Sequence, residues 1–172
     1  MRAQEVQKLI EKYNCKIGYE IGVSGGHTYS HILKSCKDLK EWHGVDIWKP
    51  SEGYEVRPNG VKWDHEANYN KVVAFAENYK NKAFLHRLTS EEASKEIEDE
   101  SIDIVFIDAD HSYEGVRDDI MYWAPKVKSG GIVCGHDYDV PRFPGVRKAV
   151  LEFFEEKYVQ VVSDNVWWIE KL

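Results

Sequence analysis

The run Ile102-Asp103-Ile104-Val105-Phe106-Ile107-Asp108 constrains the fold more than any other stretch of the chain. It is nearly unbroken apolar sequence, rich in β-branched residues, and it ends in an acid. A strand of this kind has no solvent face, so it belongs in a sheet covered by helices on both sides. Parallel strands need crossover helices between them, and those crossovers are right-handed. The rest of the chain should then alternate strand and helix.

It does. Val6, Leu9, Ile10 and Tyr13 recur at helical spacing, and KIGYEIG follows as a strand that Gly25-Gly26 breaks. Tyr29, Ile32, Leu33 and Cys36 mark a second helix, and WHGVDIW a second strand. Pro50, Gly53, Pro58 and Gly60 make residues 49–62 a loop, of a length usually functional or disordered. Tyr69, Val72, Val73, Ala76 and Tyr79 predict the next helix, and KAFLH the third strand. SEEASKEIE begins with a cap-like Ser90 and early acids, so it reads as helix. Tyr113, Val116, Ile120 and Trp123 mark the helix after Asp108, and Pro125 with Gly130-Gly131 ends that unit. GIVCG is a fifth strand, and Pro144 suits the start of a helix carrying Val146, Ala149, Val150, Phe153 and Phe154. YVQVV and VWWIEK flank Ser-Asp-Asn as an antiparallel hairpin. The expectation is α/β: one domain over residues 1–172, with a doubly wound, mostly parallel seven-stranded sheet and an antiparallel C-terminal edge strand.

A net charge of −7 with no run of Lys or Arg repels phosphate backbones, so no nucleic-acid partner is expected. The three cysteines are widely spaced in apolar contexts and read as reduced, which points to the cytoplasm. The first residues, MRAQEVQKLIEKYNCK, are amphipathic and charged, unlike a signal peptide, and no apolar run reaches membrane-spanning length. A small-molecule substrate is the expectation. The Trp167-Trp168 hairpin leaves a homo-oligomer open.

Ligands of open α/β sheets bind beyond the carboxyl ends of the strands. Each predicted strand ends there in polar or ionisable groups: Glu20 with Gly22-Val23-Ser24-Gly25-Gly26, then Asp46, His86-Arg87-Leu88-Thr89, Asp108-Ala109-Asp110-His111, and Gly135-His136-Asp137. A sheet with only a structural role needs no such edge. The first turn is Glu-x-Gly-x-x-x-Gly, not the G-x-G-x-x-G of nicotinamide proteins. Its acid would repel a pyrophosphate and suits a cationic amino group. Asp46 stands where an acid can accept both hydroxyls of a ribose.

YEIGVSGGHT, GVDIW, IDADHSYEGVRDDI, SGGIVCGHDY and FPGVRKAV resemble the successive motifs of class I S-adenosylmethionine-dependent methyltransferases. Within that class they resemble the macrocin and sugar type of small-molecule O-methyltransferase. The likeness runs from about residue 17 to 155. It implies a Rossmann-like fold, S-adenosylmethionine as cofactor and a small-molecule hydroxyl as methyl acceptor. It places Glu20, Gly22, Val23, Ser24 and Gly26 around the methionine part and Asp46 at the ribose. Ile47 and Trp48 fall near the adenine, with Thr89 and Ser90 on its other side, and Asp108 at the methionine pocket or a metal.

Related O-methyltransferases hold a divalent cation, magnesium or manganese, at positions that here are Asp108, His136 and Asp137. His136 departs from the acid or amide expected there, and Asp110 and His111 could join or replace it. Magnesium prefers oxygen, whereas softer ions accept imidazole. The alternative is no metal, with His111 or His136 as general base. The expected catalytic set is His111, His136 and Asp137, walled by Tyr54, Trp63, Tyr138 and Phe143. Two other readings stay open: a cofactor-binding protein without catalysis, and a metal-dependent enzyme of different chemistry on the same fold.

Overall fold

In a computed structural model, which describes residues 1–49, 62 and 64–172, the apolar run becomes β4 (Ile102–Ile107) at the middle of a seven-stranded sheet. The expected loop at 49–62, with Tyr54 and Trp63, lies almost wholly outside the described residues. β1 (Ile17–Ile21) and β5 (Val127–Gly135) flank β4, and both run parallel to it. β2 (Glu41–Val45) and β3 (Ala83–His86) continue the parallel sheet beyond β1. On the other side β7 (Val166–Glu170) runs antiparallel to β5, and β6 (Gln160–Val162) pairs antiparallel with β7 at the border. The order β3-β2-β1-β4-β5-β7-β6 winds outward in both directions from β1 and β4.

The helices are α1 (Arg2–Lys12), α2 (His27–Ser35), α3 (His65–Ala76), α4 (Ser90–Ser94), α5 (Tyr113–Trp123) and α6 (Pro144–Phe153). Strand alternation splits β4 between two cores. Ile104 and Phe106 pack with Trp42 against Val6 and Leu9 of α1 and Tyr29 and Ile32 of α2. Val105 and Ile107 pack against Val116, Ile120 and Trp123 of α5 and Val146, Ala149 and Val150 of α6. Ile104, Val105 and Phe106 are fully buried, which is why the run lacks a polar face.

Local differences from expectation have local causes. The SEEASKEIE helix stops at Ser94, whose hydroxyl bonds to Glu91 O and competes with the helical ladder. Of the α3 stripe only Val72 is buried, and Tyr79 falls in a 3₁₀ turn, Glu77–Tyr79. Gly130-Gly131 does not end the α5 unit. Both glycines lie inside β5, where the register against β4 shifts between Ile102 and Ile104. The WHGVDIW strand ends at Val45, and Asp46 leaves it to bond the neighbouring loop. Cys15, Cys36 and Cys134 are free and buried. Among the described residues no helix is long and apolar enough to cross a membrane.

Phe106 has no exposed surface and sits between β1 and β5 under α1 and α2. Phe106→Ala should cost about 3–5 kcal/mol of unfolding free energy in urea titrations. A loss under about 1 kcal/mol would mean that this core closes over the cavity.

Candidate active site

The sheet reverses its winding between β1 and β4, and a cleft of about 610 Å³ opens at the carboxyl ends of those strands. That volume suits a nucleoside-sized ligand. Gly22 forms part of its floor at φ 91°. A side chain on Gly22 would put Cβ 2.4 Å from Asp108 O, so only glycine lets the two strand ends close. Asp108 N–H donates to Ile21 O at 2.8 Å and completes that closure.

Asp46 lies across the loop. Its Oδ2 accepts from Ser24 N–H at 2.8 Å and its Oδ1 from Trp48 N–H at 2.7 Å. Each oxygen keeps lone-pair capacity toward the cleft, which suits a vicinal diol. Val23, Ser24 and Ile47 line the same cleft, as do Thr89 and Ser90. Thr89 is the true cap of α4: its Oγ1 accepts from Glu92 N–H at 3.2 Å, while Glu92 reaches back to Thr89 N–H.

Three expected cofactor residues sit elsewhere. Glu20 does not line the cleft. Strand alternation turns it to the α1–α2 side, where its carboxyl is almost fully buried and accepts from Trp42 Nε1 at 3.1 Å. Burial pushes its pKa well up, against the Trp42 bond, and nearby Asp108 adds to the rise. Turned away from the cleft, Glu20 is not placed to face an ammonium group there. Gly26 caps α2 at φ 76°, with Val72 where its Cβ would be, so its role is in packing. Trp48 is buried under the loop, with Nε1 donating to Ser24 O at 2.9 Å.

Asp108, His111 and Asp137 offer ligand atoms that all lie within 4.8 Å of one another. His111 Nε2 stands 2.7 Å from Asp137 Oδ2 and 3.4 Å from Asp108 Oδ1. Burial disfavours charge on His111, but bonds to and charges on Asp108 and Asp137 outweigh it and push its pKa up to about 9. Asp137 is held well below the usual carboxylate range: burial opposes this, and His111 and His136 overcome it. The third close donor is thus His111, which with Asp110 stood in the sequence as able to join or replace His136. His136 Nδ1 comes 3.1 Å from Asp137 Oδ1 and 3.6 Å from Asp108 Oδ1. Both its ring nitrogens are buried, and among the described residues neither makes a well-directed hydrogen bond. Two carboxylates and an imidazole suit a divalent first-row ion better than magnesium.

A second cavity of about 350 Å³ shares Asp110 and His111 with the cleft and continues along Tyr113, Arg142 and Phe143. Phe143 stacks on His111, ring centroids 4.6 Å apart. Tyr138 is in the core. Arg2 and Asp119 are cleft residues that sequence reasoning did not single out. Arg2 reaches in from α1, with Nε 3.1 Å from Asp108 Oδ2. Asp119, on α5, faces the cleft nearly buried and accepts from Ser90 Oγ, which itself accepts from Trp123 Nε1 at 2.9 Å. Arg2 lies outside every motif, and Asp119, near the end of the IDADHSYEGVRDDI motif, is on a helix rather than at a strand end; both lie far in sequence from their partners.

Residues 19–138 match the model of a family described as a methyltransferase domain. The chain belongs to that methyltransferase-domain family. A protein of Sinorhizobium fredii, y4gI, is 36% identical over 124 residues, which cover 70% of this chain and 13% of y4gI. The chain therefore spans only about an eighth of that relative. A solved O-methyltransferase from Bacillus cereus in complex with S-adenosylhomocysteine superposes with a TM-score of 0.68 at 16% identity, covering 99% of this chain and 80% of that one. The TDP-rhamnose 3′-O-methyltransferase of calicheamicin biosynthesis, CalS11, gives 0.69 at 15% identity, covering 98% and 78%. An rRNA methylase from Streptococcus thermophilus gives 0.64 at 12% identity, covering 98% and 95%. At these identities the structures share the methyltransferase fold.

Burial raises the Asp119 pKa to about 7 from an ordinary 3.8, more than the Ser90 hydroxyl can offset. A raised folded-state pKa stabilises the protein below the unfolded value, and that stability is lost as pH climbs through the folded value. Wild-type stability should thus fall between about pH 4 and pH 7 on this account, and Asp119→Asn should remove that part of the fall. Urea midpoints against pH for both proteins check it; identical profiles would refute the assignment.

Proposed function

We propose that the chain is an S-adenosylmethionine-dependent methyltransferase acting on a hydroxyl of a small molecule, with a divalent cation at the transfer site. The observation that carries this reading is the meeting of two cavities at Asp110 and His111, beside Asp108. One has the Asp46 diol acceptor and the glycine floor of a nucleoside site. The other opens beside the Asp108–His111–Asp137 cluster and has room for an acceptor. The net charge of −7 disfavours RNA as that acceptor.

The cofactor supplies an electrophilic methyl on a sulfonium sulfur. A cation on Asp108, His111 and Asp137 would lower the pKa of a hydroxyl bound to it. The chain's own work is to bind, orient and move one proton. Asp46 holds the ribose hydroxyls on the lone pairs that Ser24 and Trp48 leave open. Ile47, Thr89 and Ser90 bound the base end of the cleft. Phe143, stacked on His111, walls the acceptor beside the cluster and keeps water from it. His136 takes the hydroxyl proton on Nε2, which makes no hydrogen bond among the described residues, while Nδ1 faces Asp137. Held along the cleft from Asp46 to the cluster, the cofactor would supply its methyl to the hydroxyl oxygen, with the sulfur keeping the electron pair of the broken bond. Holding the two in line supplies much of the rate.

Asp46→Ala should weaken S-adenosylhomocysteine binding in calorimetry by about ten- to a hundredfold, the worth of a charge-assisted bond pair. Unchanged affinity would remove Asp46 from the site. His136→Gln should cut turnover of an accepted hydroxyl substrate by about 10²–10⁴-fold and spare cofactor and Mn²⁺ binding. His111→Gln should lose Mn²⁺ binding as well. If wild-type protein binds neither S-adenosylmethionine nor its demethylated product, the non-catalytic alternative stands instead.

A further inference from the structure

The Arg2 guanidinium is held in place by more than its one ion pair. Ala3, Val6, Leu9 and Ile10 bury the inner face of α1. Its first turn is tied to the Ser163–Asn165 turn before β7: Arg2 N–H donates to Asp164 Oδ2 at 2.5 Å, and Ser163 Oγ donates to Glu5 Oε1 at 2.6 Å. The backbone of Arg2 is therefore fixed at the mouth of the cleft. Its side chain is 37% exposed and can swing. Nε pairs with Asp108 Oδ2 at 3.1 Å and meets Thr28 Oγ1 at 3.4 Å.

Asp108 thus has claimants on both oxygens. Oδ2 faces Arg2, and Oδ1 faces His111 of the cation cluster and, at 3.6 Å, His136. The Asp108 side chain is only 7% exposed, so water screens these claims poorly. A guanidinium already neutralising this carboxylate weakens its hold on a metal ion. The aminoacyl end of the proposed cofactor brings a carboxylate to the same cleft, and a guanidinium is the side chain best shaped to bind one.

We infer that Arg2 is the seat of the cofactor's carboxylate and the gate of the cation cluster. Arriving cofactor draws the guanidinium off Asp108, and the released carboxylate becomes a full ligand for the cation. The inference rests on the cofactor reading above. Its consequence is positive coupling between cofactor and cation, equal in both directions. Among the described residues no other arginine or lysine lining the cleft forms an ion pair with Asp108.

The test is a Mn²⁺ titration of the full chain, followed by electron paramagnetic resonance, with and without saturating S-adenosylhomocysteine. In wild type the nucleoside should tighten Mn²⁺ binding at least about fivefold. Arg2→Gln should bind Mn²⁺ without nucleoside as tightly as wild type does with it, and adding nucleoside should change little. The same variant should bind S-adenosylhomocysteine about tenfold more weakly, the loss of one charge-assisted contact. Arg2→Lys keeps a cation and should restore part of the gating; unfolding midpoints near wild type show that both variants fold. Unchanged Mn²⁺ affinity in Arg2→Gln, coupling that survives in it, or no Mn²⁺ binding by any form overturns the proposal. Failure of S-adenosylhomocysteine to bind wild type overturns the cofactor reading instead, and the nucleoside-free comparison of Arg2→Gln with wild type still decides the gate.

Discussion

β1 and β4 lie side by side in parallel, from Gly18 against Ile104 to Ile21 against Ile107, and the Asp108 N–H bond to Ile21 O continues the ladder past the strand ends. Every functional position depends on this pairing. The chain leaves β1 toward β2 and β3, returns, and leaves β4 toward β5. Loops diverging in opposite directions from adjacent strands cannot cover the gap between them, so a cleft forms there. The absence of a side chain on Gly22 lets the two loop bases meet. A wider separation would pull Asp108 from the glycine loop and leave two half-sites.

The electrostatics follow from where each acid emerges. Asp108 and Asp137 leave the strand ends and face the cleft, and the His111 imidazolium joins them. Glu20 is one residue short of the end of β1, so alternation drives it into the core, where burial pushes its pKa well up. Asp119 reaches the cleft from the side of α5 and is held close to neutrality by burial. Acids of similar chemistry thus take different charges through depth alone. Arg2 balances the cluster from a helix anchored to the far end of the chain through Asp164 and Ser163.

Much of this was legible beforehand. The sheet, its two-sided cover and its C-terminal hairpin could be read from apolar runs and breakers, because burial on both faces leaves a mark on local sequence. Asp46, Asp108 and Asp137 were legible because residues that closely follow a strand must lie at the carboxyl edge. Glu20 misled because an acid next to a glycine turn looks like part of it, and strand phase alone decides its direction. Gly26 misled for a related reason: its positive φ serves the start of α2 and contact with Val72. The exchange of His136 for His111 turns on the path of the Asp108–Ser112 loop, where Asp110 accepts from both Ser112 N–H and its hydroxyl. No periodicity encodes such a bend.

The sequence by itself determined which segments are strands, that they lie parallel under two helical layers, and which residues stand at their carboxyl ends. Those properties follow from hydrophobic period and turn chemistry, both local. The tertiary structure alone decided which of those residues meet. It turned Glu20 away, brought Arg2 to Asp108 across 106 positions of chain, and set His111 against Asp137. Distances of this kind depend on helix docking and strand phase, and no short stretch of sequence records either.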